Sequence, residues 1–186
     1  MAIKIEQRIG IAAPVDDVWD LISDVPSWPQ WSPIHRKAEG ELHFGGTVAL
    51  EEYYEGLGTW ELQGAVADWS PMSHLHISVP KPFYAGKLTR YFEMEALSDT
   101  GSTFTLGALF EGILSEREGR AYRSFLRDGF GRFCEALKTK AEAEFAAHPD
   151  HRASAAPKEP EKPQLGPSRP KWQKTKLFVL PGHMSK

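Results

Sequence analysis

The sequence predicts an α+β domain in which a curved, seven-stranded antiparallel sheet wraps around one long C-terminal helix, with two short helices after the first strand. Three observations support this prediction. Apolar residues alternate with a period of two near the N-terminus and again between about residues 34 and 112. Between about 115 and 147 the period changes to three or four, as in an amphipathic helix. From residue 148 onward the composition no longer supports a packed core.

The first strand is predicted over residues 3–11, where isoleucines alternate with Lys4 and Glu6. Pro14 then stands where the first turn of a helix tolerates proline, and two acidic residues follow it. This helix is predicted to end near Asp24. The next nine residues contain three prolines, which excludes a long helix and leaves room for one helical turn.

Six further strands are predicted between glycine- and proline-containing turns. Their expected bounds are 34–43, 47–55, 58–69, 72–79, 86–97 and 102–112. The short connections favour antiparallel pairing of strands that are neighbours in sequence. With about 30 residues, and so about 45 Å of length, the final helix is the element long enough to cover this sheet.

The final helix has one apolar stripe and two glycines inside it. The stripe consists of Tyr122, Leu126, Phe130, Phe133, Leu137 and Ala141. Gly129 and Gly131 each disfavour a helix by about 1 kcal/mol relative to alanine. We therefore expect a close backbone contact or a local bend at these positions.

The chain divides by composition into a domain at 1–147 and a basic tail at 148–186. The tail has eight Lys or Arg residues against three Asp or Glu residues, and it contains seven of the 14 prolines. Because the net charge of the whole chain is −3, the domain carries −8. This balance argues against nucleic acid as a partner, and the tail is expected to be largely disordered.

Four short motifs stand out in the sequence: the segment APVDDVWDLISDV at 13–25, the pair Trp28-Pro29 with Trp31, the turn Gly101-Ser102-Thr103 and the strand end Phe110-Glu111-Gly112. Together with the order of the elements, these motifs resemble the START-like (SRPBCC) superfamily, in particular its polyketide cyclase/dehydrase and lipid-transfer branch. The resemblance covers about residues 1–147 and implies a helix-grip fold. It leaves the activity open, because that fold carries binders, transporters and enzymes.

The favoured function is the binding of a small hydrophobic molecule (a lipid, polyketide, isoprenoid or aromatic metabolite) in a cavity between the sheet and the final helix. One alternative is a cyclase or dehydratase that uses the same cavity. Another is a protein-interaction module that uses the tail. An enzyme would need titratable groups within hydrogen-bond reach inside the cavity, whereas a binder needs only shape.

Strand alternation and the helical stripe select the residues expected to line the cavity. They are Trp28, Trp31, Leu50, Glu52, Tyr54, Trp60, Leu62, Leu75, Ile77, Arg90, Phe92, Met94, Phe104, Leu106, Ala108, Tyr122, Leu126 and Phe130. Glu52 and Arg90 are charged residues on otherwise apolar faces, and a buried charge is costly unless it is paired. Either they orient a ligand's polar end, or they lie at the rim or pair with each other.

No cofactor and no metal are expected. His74 and His76 have a spacing that can hold a metal, but alternation places them on the outer face and the sequence offers no third ligand. Cys134, the one cysteine, is expected to be a buried, unreactive thiol. No pattern of a nucleotide-binding loop or of a nucleophile elbow is present.

A cytoplasmic location without stable membrane insertion is expected, because the sequence has no leader-like start and no apolar run of about 18 residues. The tail contains one apolar island, made of Leu177, Phe178, Val179 and Leu180. We expect this island to dock on the chain's own surface or to support self-association.

Overall fold

A computed structural model describes residues 2–148, and the tail with its apolar island lies outside the described residues. The strands are β1 (Ile3–Ile11), β2 (His35–Gly40), β3 (Thr47–Tyr54), β4 (Gly58–Ser70), β5 (His74–Val79), β6 (Lys87–Ser98) and β7 (Gly101–Glu111). The helices are α1 (Val15–Ser23), α2 (Trp28–Trp31) and α3 (Ile113–Ala147), with a 3-10 turn at Val25–Ser27.

The seven strands form one curved antiparallel sheet in the order β1-β7-β6-β5-β4-β3-β2. Strands β2 to β7 are a simple meander, and β1 closes the order by pairing with β7. The helix-grip prediction is therefore confirmed, with all seven strands near their expected positions. The main difference is β2, which ends at Gly40 rather than near residue 43.

Helix α3 crosses the concave face of the sheet and packs mainly on β1 and β7. Its expected apolar stripe faces the sheet, with Leu126, Phe130, Phe133, Leu137 and Ala141 fully buried and Tyr122 partly buried. Among the described helices, none is long and apolar enough to cross a membrane.

A β-bulge in β4 changes which residues face the interior. The register with β5 shifts between Val66 and Asp68, so that Val66 and Trp69 both pair with inward-facing residues of β5. An extra residue in a strand reverses the alternation beyond it. As a result, Trp69 stacks on Trp19 of α1, with the ring centroids 6.0 Å apart and the planes 3° from parallel.

The two glycines of α3 differ in their surroundings. A β-carbon at Gly129 would lie closer than 3.0 Å to the ring of Tyr54, so α3 approaches β3 closely at this position. A β-carbon at Gly131 would have the side-chain amide nitrogen of Gln7 as its nearest neighbour, 4.0 Å away. The expected close backbone contact therefore exists at Gly129, and Gly131 has free space around it.

Candidate functional site

Three strands bring four polar side chains together inside the domain. Glu52 and Tyr54 extend from β3, Arg90 from β6 and His35 from β2. On β3 the two-residue period places Glu52 and Tyr54 on the same face as the buried Leu50. All four polar side chains are buried, with at most 4% of the residue exposed. We call these four residues the polar cluster.

An ion pair between Arg90 and Glu52 is the centre of the polar cluster. The Nη2 group of Arg90 donates hydrogen bonds to Glu52 Oε1 and, at 3.0 Å, to the hydroxyl oxygen of Tyr54. The Tyr54 hydroxyl donates to Glu52 Oε2 at 2.8 Å. His35 Nε2 lies 3.2 Å from Glu52 Oε1. Both carboxylate oxygens therefore face hydrogen-bonding groups.

Sheet curvature makes this pairing geometrically feasible. Glu52 and Arg90 stand on β3 and β6, and two strands, β4 and β5, separate them in the sheet order. Neighbouring strands are about 4.8 Å apart, so the two backbones are separated by roughly 14 Å along the sheet. Their side chains meet over the concave face, where curvature directs them toward one another.

The pKa values in the polar cluster indicate an ionised pair and a protonated phenol. Burial by itself would raise the pKa of the Glu52 carboxyl, but the Arg90 charge and the His35 contact outweigh it and lower that pKa to about 2. Burial disfavours the charged form of Arg90, yet the Glu52 carboxylate raises its pKa above the ordinary value. Burial also raises the pKa of Tyr54 well above its usual range. Glu52 is thus anionic, Arg90 cationic and Tyr54 neutral at pH 7.

The remaining surface of the Arg90 guanidinium faces aromatic rings. Its central carbon lies 4.4 Å from the ring centre of Phe130 and 5.9 Å from that of Trp60. The Nε and Nη1 atoms of Arg90 are buried and find no hydrogen-bond partner among residues 2–148. Arg90 therefore keeps unused donors next to an apolar wall.

Most of the residues expected to line the cavity are buried in the core of the domain. Fully or almost fully buried are Trp28, Leu50, Glu52, Tyr54, Leu62, Leu75, Ile77, Arg90, Phe92, Met94, Phe104, Leu106, Ala108, Leu126 and Phe130. Partly buried are Trp31, Trp60 and Tyr122. Their role in ligand binding stays a prediction.

The two tryptophans of α2 occupy different environments. Trp28 is fully buried, and its indole N–H donates to the carbonyl oxygen of Leu21 at 3.2 Å. Its ring packs 4.9 Å from His35 and 5.3 Å from Phe92. Trp31 is only partly buried and lies nearer the surface. Trp28 therefore fills one end of the core, whereas Trp31 has the exposure expected of an aromatic residue at a cavity mouth.

The model of the family described as polyketide cyclase/dehydrase and lipid transport matches residues 2–142. The chain belongs to this family. Its motifs at 13–31 and at 101–112 lie within the matched range. Among curated proteins, none matched the sequence.

Several solved structures share the fold of the described domain. A START superfamily protein from Mycobacterium smegmatis has a TM-score of 0.61 at 14% identity and covers 76% of this chain and 98% of its own. The aromatase/cyclase Zhui from a Streptomyces species has 0.57 at 19%, covering 80% and 97%. Norcoclaurine synthase from Thalictrum flavum has 0.59 at 12%, covering 77% and 96%. At these identities the likeness shows the fold alone.

Within this family fold, sequence reasoning missed His35 and Ser32. The Oγ atom of Ser32 lies 2.7 Å from His35 Nδ1, and both residues are buried. A β-bulge between His35 and Lys37 interrupts the alternation of β2, so no regular pattern identifies His35 as inward-facing. In the sequence, His35 follows Pro33 and Ile34 and precedes Arg36 and Lys37, and this surrounding matches no motif of a functional histidine.

The remaining candidates of the family domain lie away from the polar cluster. His74 and His76 are partly exposed, and each faces its own carboxylate, Asp68 at 3.3 Å and Glu93 at 3.8 Å. Within residues 2–148, no group of three or more potential ligands could hold a metal ion. Cys134 is buried, and burial raises the pKa of its thiol to about 12.

Proposed function

We propose that the domain binds a small apolar molecule between the concave face of the sheet and α3, with the polar end of that molecule at Arg90. The observation that carries the proposal is the buried guanidinium of Arg90, whose Nε and Nη1 donors have no partner among the described residues. Leaving a buried donor unpaired costs about 1–3 kcal/mol. A ligand oxygen that accepts from these donors would recover that cost.

Two further observations support this proposal. The side chains next to Arg90, namely Phe130 and Trp60, are large aromatic rings that suit an apolar ligand. The family description includes lipid transport, and lipids have long apolar parts, beside polyketide cyclases and dehydrases, whose substrates carry carbonyl oxygens. Burial of apolar area would supply the binding free energy at about 25 cal/mol per Å², and Arg90 would select orientation.

Native mass spectrometry of freshly purified protein, with extraction of bound molecules, tests the proposal. We expect an adduct that survives gentle desolvation and disappears on unfolding. A binding panel read by tryptophan fluorescence then compares the wild type with the double variant Arg90→Gln/Glu52→Gln, which removes both charges of the ion pair together. The variant should bind oxygen-bearing ligands at least tenfold more weakly. Arg123→Gln, on the exposed side of α3, is the matched control.

An enzyme of the cyclase or dehydratase type is a second candidate, favoured by the titratable groups within hydrogen-bond reach of one another in the polar cluster. Because Glu52 is held by Arg90, His35 is the group we assign to proton transfer. A His35→Gln variant that binds the extracted molecule normally but no longer converts it to a dehydrated or cyclised product would support this function. Equal conversion by wild type and variant would exclude His35.

We also propose that residues 1–147 are sufficient for binding. A chain lacking 148–186 should keep its circular dichroism spectrum and its affinity for the extracted molecule. If instead the truncated chain binds the molecule normally but loses a protein partner, the tail is an interaction module. The cytoplasmic location stays a prediction.

A further inference from the structure

The ion pair of Arg90 and Glu52 has a surplus of hydrogen-bond donors but no surplus of charge. A guanidinium carries five N–H donors. The two on Nη2 of Arg90 serve Glu52 and Tyr54, and the three on Nε and Nη1 have no partner in the described part of the chain. The positive charge, in contrast, is already neutralised by the Glu52 carboxylate.

Four elements contribute the side chains that surround the ion pair. β2 contributes His35, β3 contributes Tyr54, β4 contributes the ring of Trp60 and α3 contributes the ring of Phe130. Arg90 is the sole Lys or Arg among the fully buried residues of 2–148. The single charges of Arg90 and Glu52 therefore balance each other within this pair.

We propose that the interior binds ligands through an uncharged acceptor group, such as a ketone, ester or amide carbonyl, and discriminates against the ionised carboxylate of the same skeleton. The inference rests on the proposed function and specifies its ligand class. A carbonyl oxygen can accept from Arg90 Nε or Nη1 without adding charge to the interior. A carboxylate would add a second negative charge beside Arg90, whose one positive charge is already paired with Glu52, and burial of an unbalanced charge is strongly disfavoured.

Glu52 is the residue that determines this selectivity. An arginine without a buried carboxylate partner would favour anionic ligands, because charge-assisted hydrogen bonds are the stronger ones. Here Glu52 occupies that position and contacts Arg90, Tyr54 and His35 at once. The charge of Glu52 therefore converts an anion site into a site for neutral acceptors.

Matched ligand pairs test the inference on the unaltered full-length protein. Each pair shares one skeleton, for example 2-acetylnaphthalene with 2-naphthoate, an anthracenyl pair, and an alkyl methyl ketone with the fatty acid of equal length. Dissociation constants are measured by tryptophan fluorescence between pH 5 and 9. If only the uncharged acid binds, its apparent Kd rises about tenfold per pH unit above the carboxyl pKa near 4. The ketone, which does not ionise in this range, provides the control for any pH dependence of the protein itself.

Two outcomes separate failure of the inference from failure of the proposed function. Carboxylates that bind at pH 7 within about threefold of their ketones would overturn the neutral-acceptor inference but leave the binding function standing. Absence of binding by both members of all three pairs would overturn the binding of apolar molecules and the inference with it. At pH 7 we expect each ketone to bind at least a hundredfold more tightly than its carboxylate.

A variant of Glu52 provides a second and independent measurement. In Glu52→Gln the positive charge of Arg90 is no longer neutralised, so the carboxylate should gain at least tenfold in affinity relative to its ketone at pH 7. Glu51→Gln is the matched control, since Glu51 is the neighbouring residue of β3 and points to the opposite face. If a folded Glu52→Gln protein keeps the wild-type ratio of carboxylate to ketone affinity, Glu52 does not determine the selectivity. If that variant does not fold, the pH series on the wild type decides the inference.

Discussion

Replacement of Gly129 by alanine is expected to destabilise the domain, although alanine is the better helix former. Gly129 lies in the middle of α3, where glycine costs about 1 kcal/mol relative to alanine. Considered alone, that propensity predicts stabilisation. The new β-carbon, however, would lie closer than 3.0 Å to two ring carbons of Tyr54, a separation that real structures do not tolerate.

The size of the effect follows from how firmly Tyr54 is held. Its ring is fully buried, and its hydroxyl is hydrogen-bonded to both Glu52 and Arg90. The ring therefore cannot rotate away from α3 without breaking buried hydrogen bonds. Overpacking of a core costs about 1–3 kcal/mol, and the constraint on Tyr54 favours the upper value. After subtraction of the propensity gain, we expect a net loss of about 2 kcal/mol.

Gly131→Ala is a matched control in the same helix. Because a β-carbon added there would be 4.0 Å from its nearest neighbour, the amide nitrogen of Gln7, alanine fits without overlap. The gain in helix propensity of about 1 kcal/mol should therefore appear in full as added stability. In a protein of this size 1 kcal/mol shifts Tm by about 2–4 °C. Thermal and urea unfolding should thus show a Tm lowered by about 4–8 °C for Gly129→Ala and raised by about 2–4 °C for Gly131→Ala.

A third variant identifies the contact that is responsible. In a Tyr54→Leu background the aromatic ring is absent, so Gly129→Ala should become neutral or stabilising. The reasoning would be refuted if Gly129→Ala and Gly131→Ala raised Tm equally in the wild-type background. That result would mean that α3 does not approach β3 through Gly129.

Three other predictions concern the buried ionisable groups. The pKa of Glu52 lies at about 2 in the folded protein, below its ordinary value of 4.5. The stabilising contribution of this carboxylate is therefore present above pH 4.5 and is lost as the pH falls toward 2. In urea titrations, the free energy of unfolding of Glu52→Gln should depend less steeply on pH over this range than that of the wild type. Arg90→Met leaves Glu52 buried without its partner and should lower the free energy of unfolding by about 3–5 kcal/mol, whereas Arg90→Met/Glu52→Gln should lower it less. Equal losses of unfolding free energy for the two variants in urea titrations would contradict a coupled pair. Because burial raises the pKa of Cys134 to about 12, a thiol reagent at pH 8 should label it at least a hundredfold more slowly in the folded protein than in urea, and equal rates would place the thiol at the surface.

Local patterns in the sequence were sufficient to predict the strands, the helices and their order, while the helix-grip arrangement followed from the resemblance of the motifs. The two-residue period of the strands and the change to a helical period after residue 112 correspond to the seven strands and α3 of the structure. The same alternation predicted that Glu52 and Arg90 would face the interior, and both are fully buried. Side-chain direction along a strand depends on the strand alone, so it can be inferred from a short stretch of sequence.

Contacts between distant strands could not be predicted in this way. Of the alternatives for Glu52 and Arg90, the structure shows a pair that forms in the interior rather than at the rim. Their meeting depends on the curvature of the four strands from β3 to β6, and no local pattern encodes the degree of curvature. His35 was missed for a related reason, because a bulge in β2 interrupts the alternation that would have revealed it.

The two glycines of α3 also show which features local sequence predicts and which depend on tertiary contacts. The sequence by itself determined that a long amphipathic helix covers the sheet and that Gly129 and Gly131 are unfavourable within it, because helix propensity is a property of each residue. Only the tertiary structure decided that Gly129 is needed and Gly131 is not, since that depends on which side chain of the sheet lies opposite each position. The polar cluster follows the same rule: alternation directed Glu52, Tyr54 and Arg90 inward, and packing determined that they meet one another and His35.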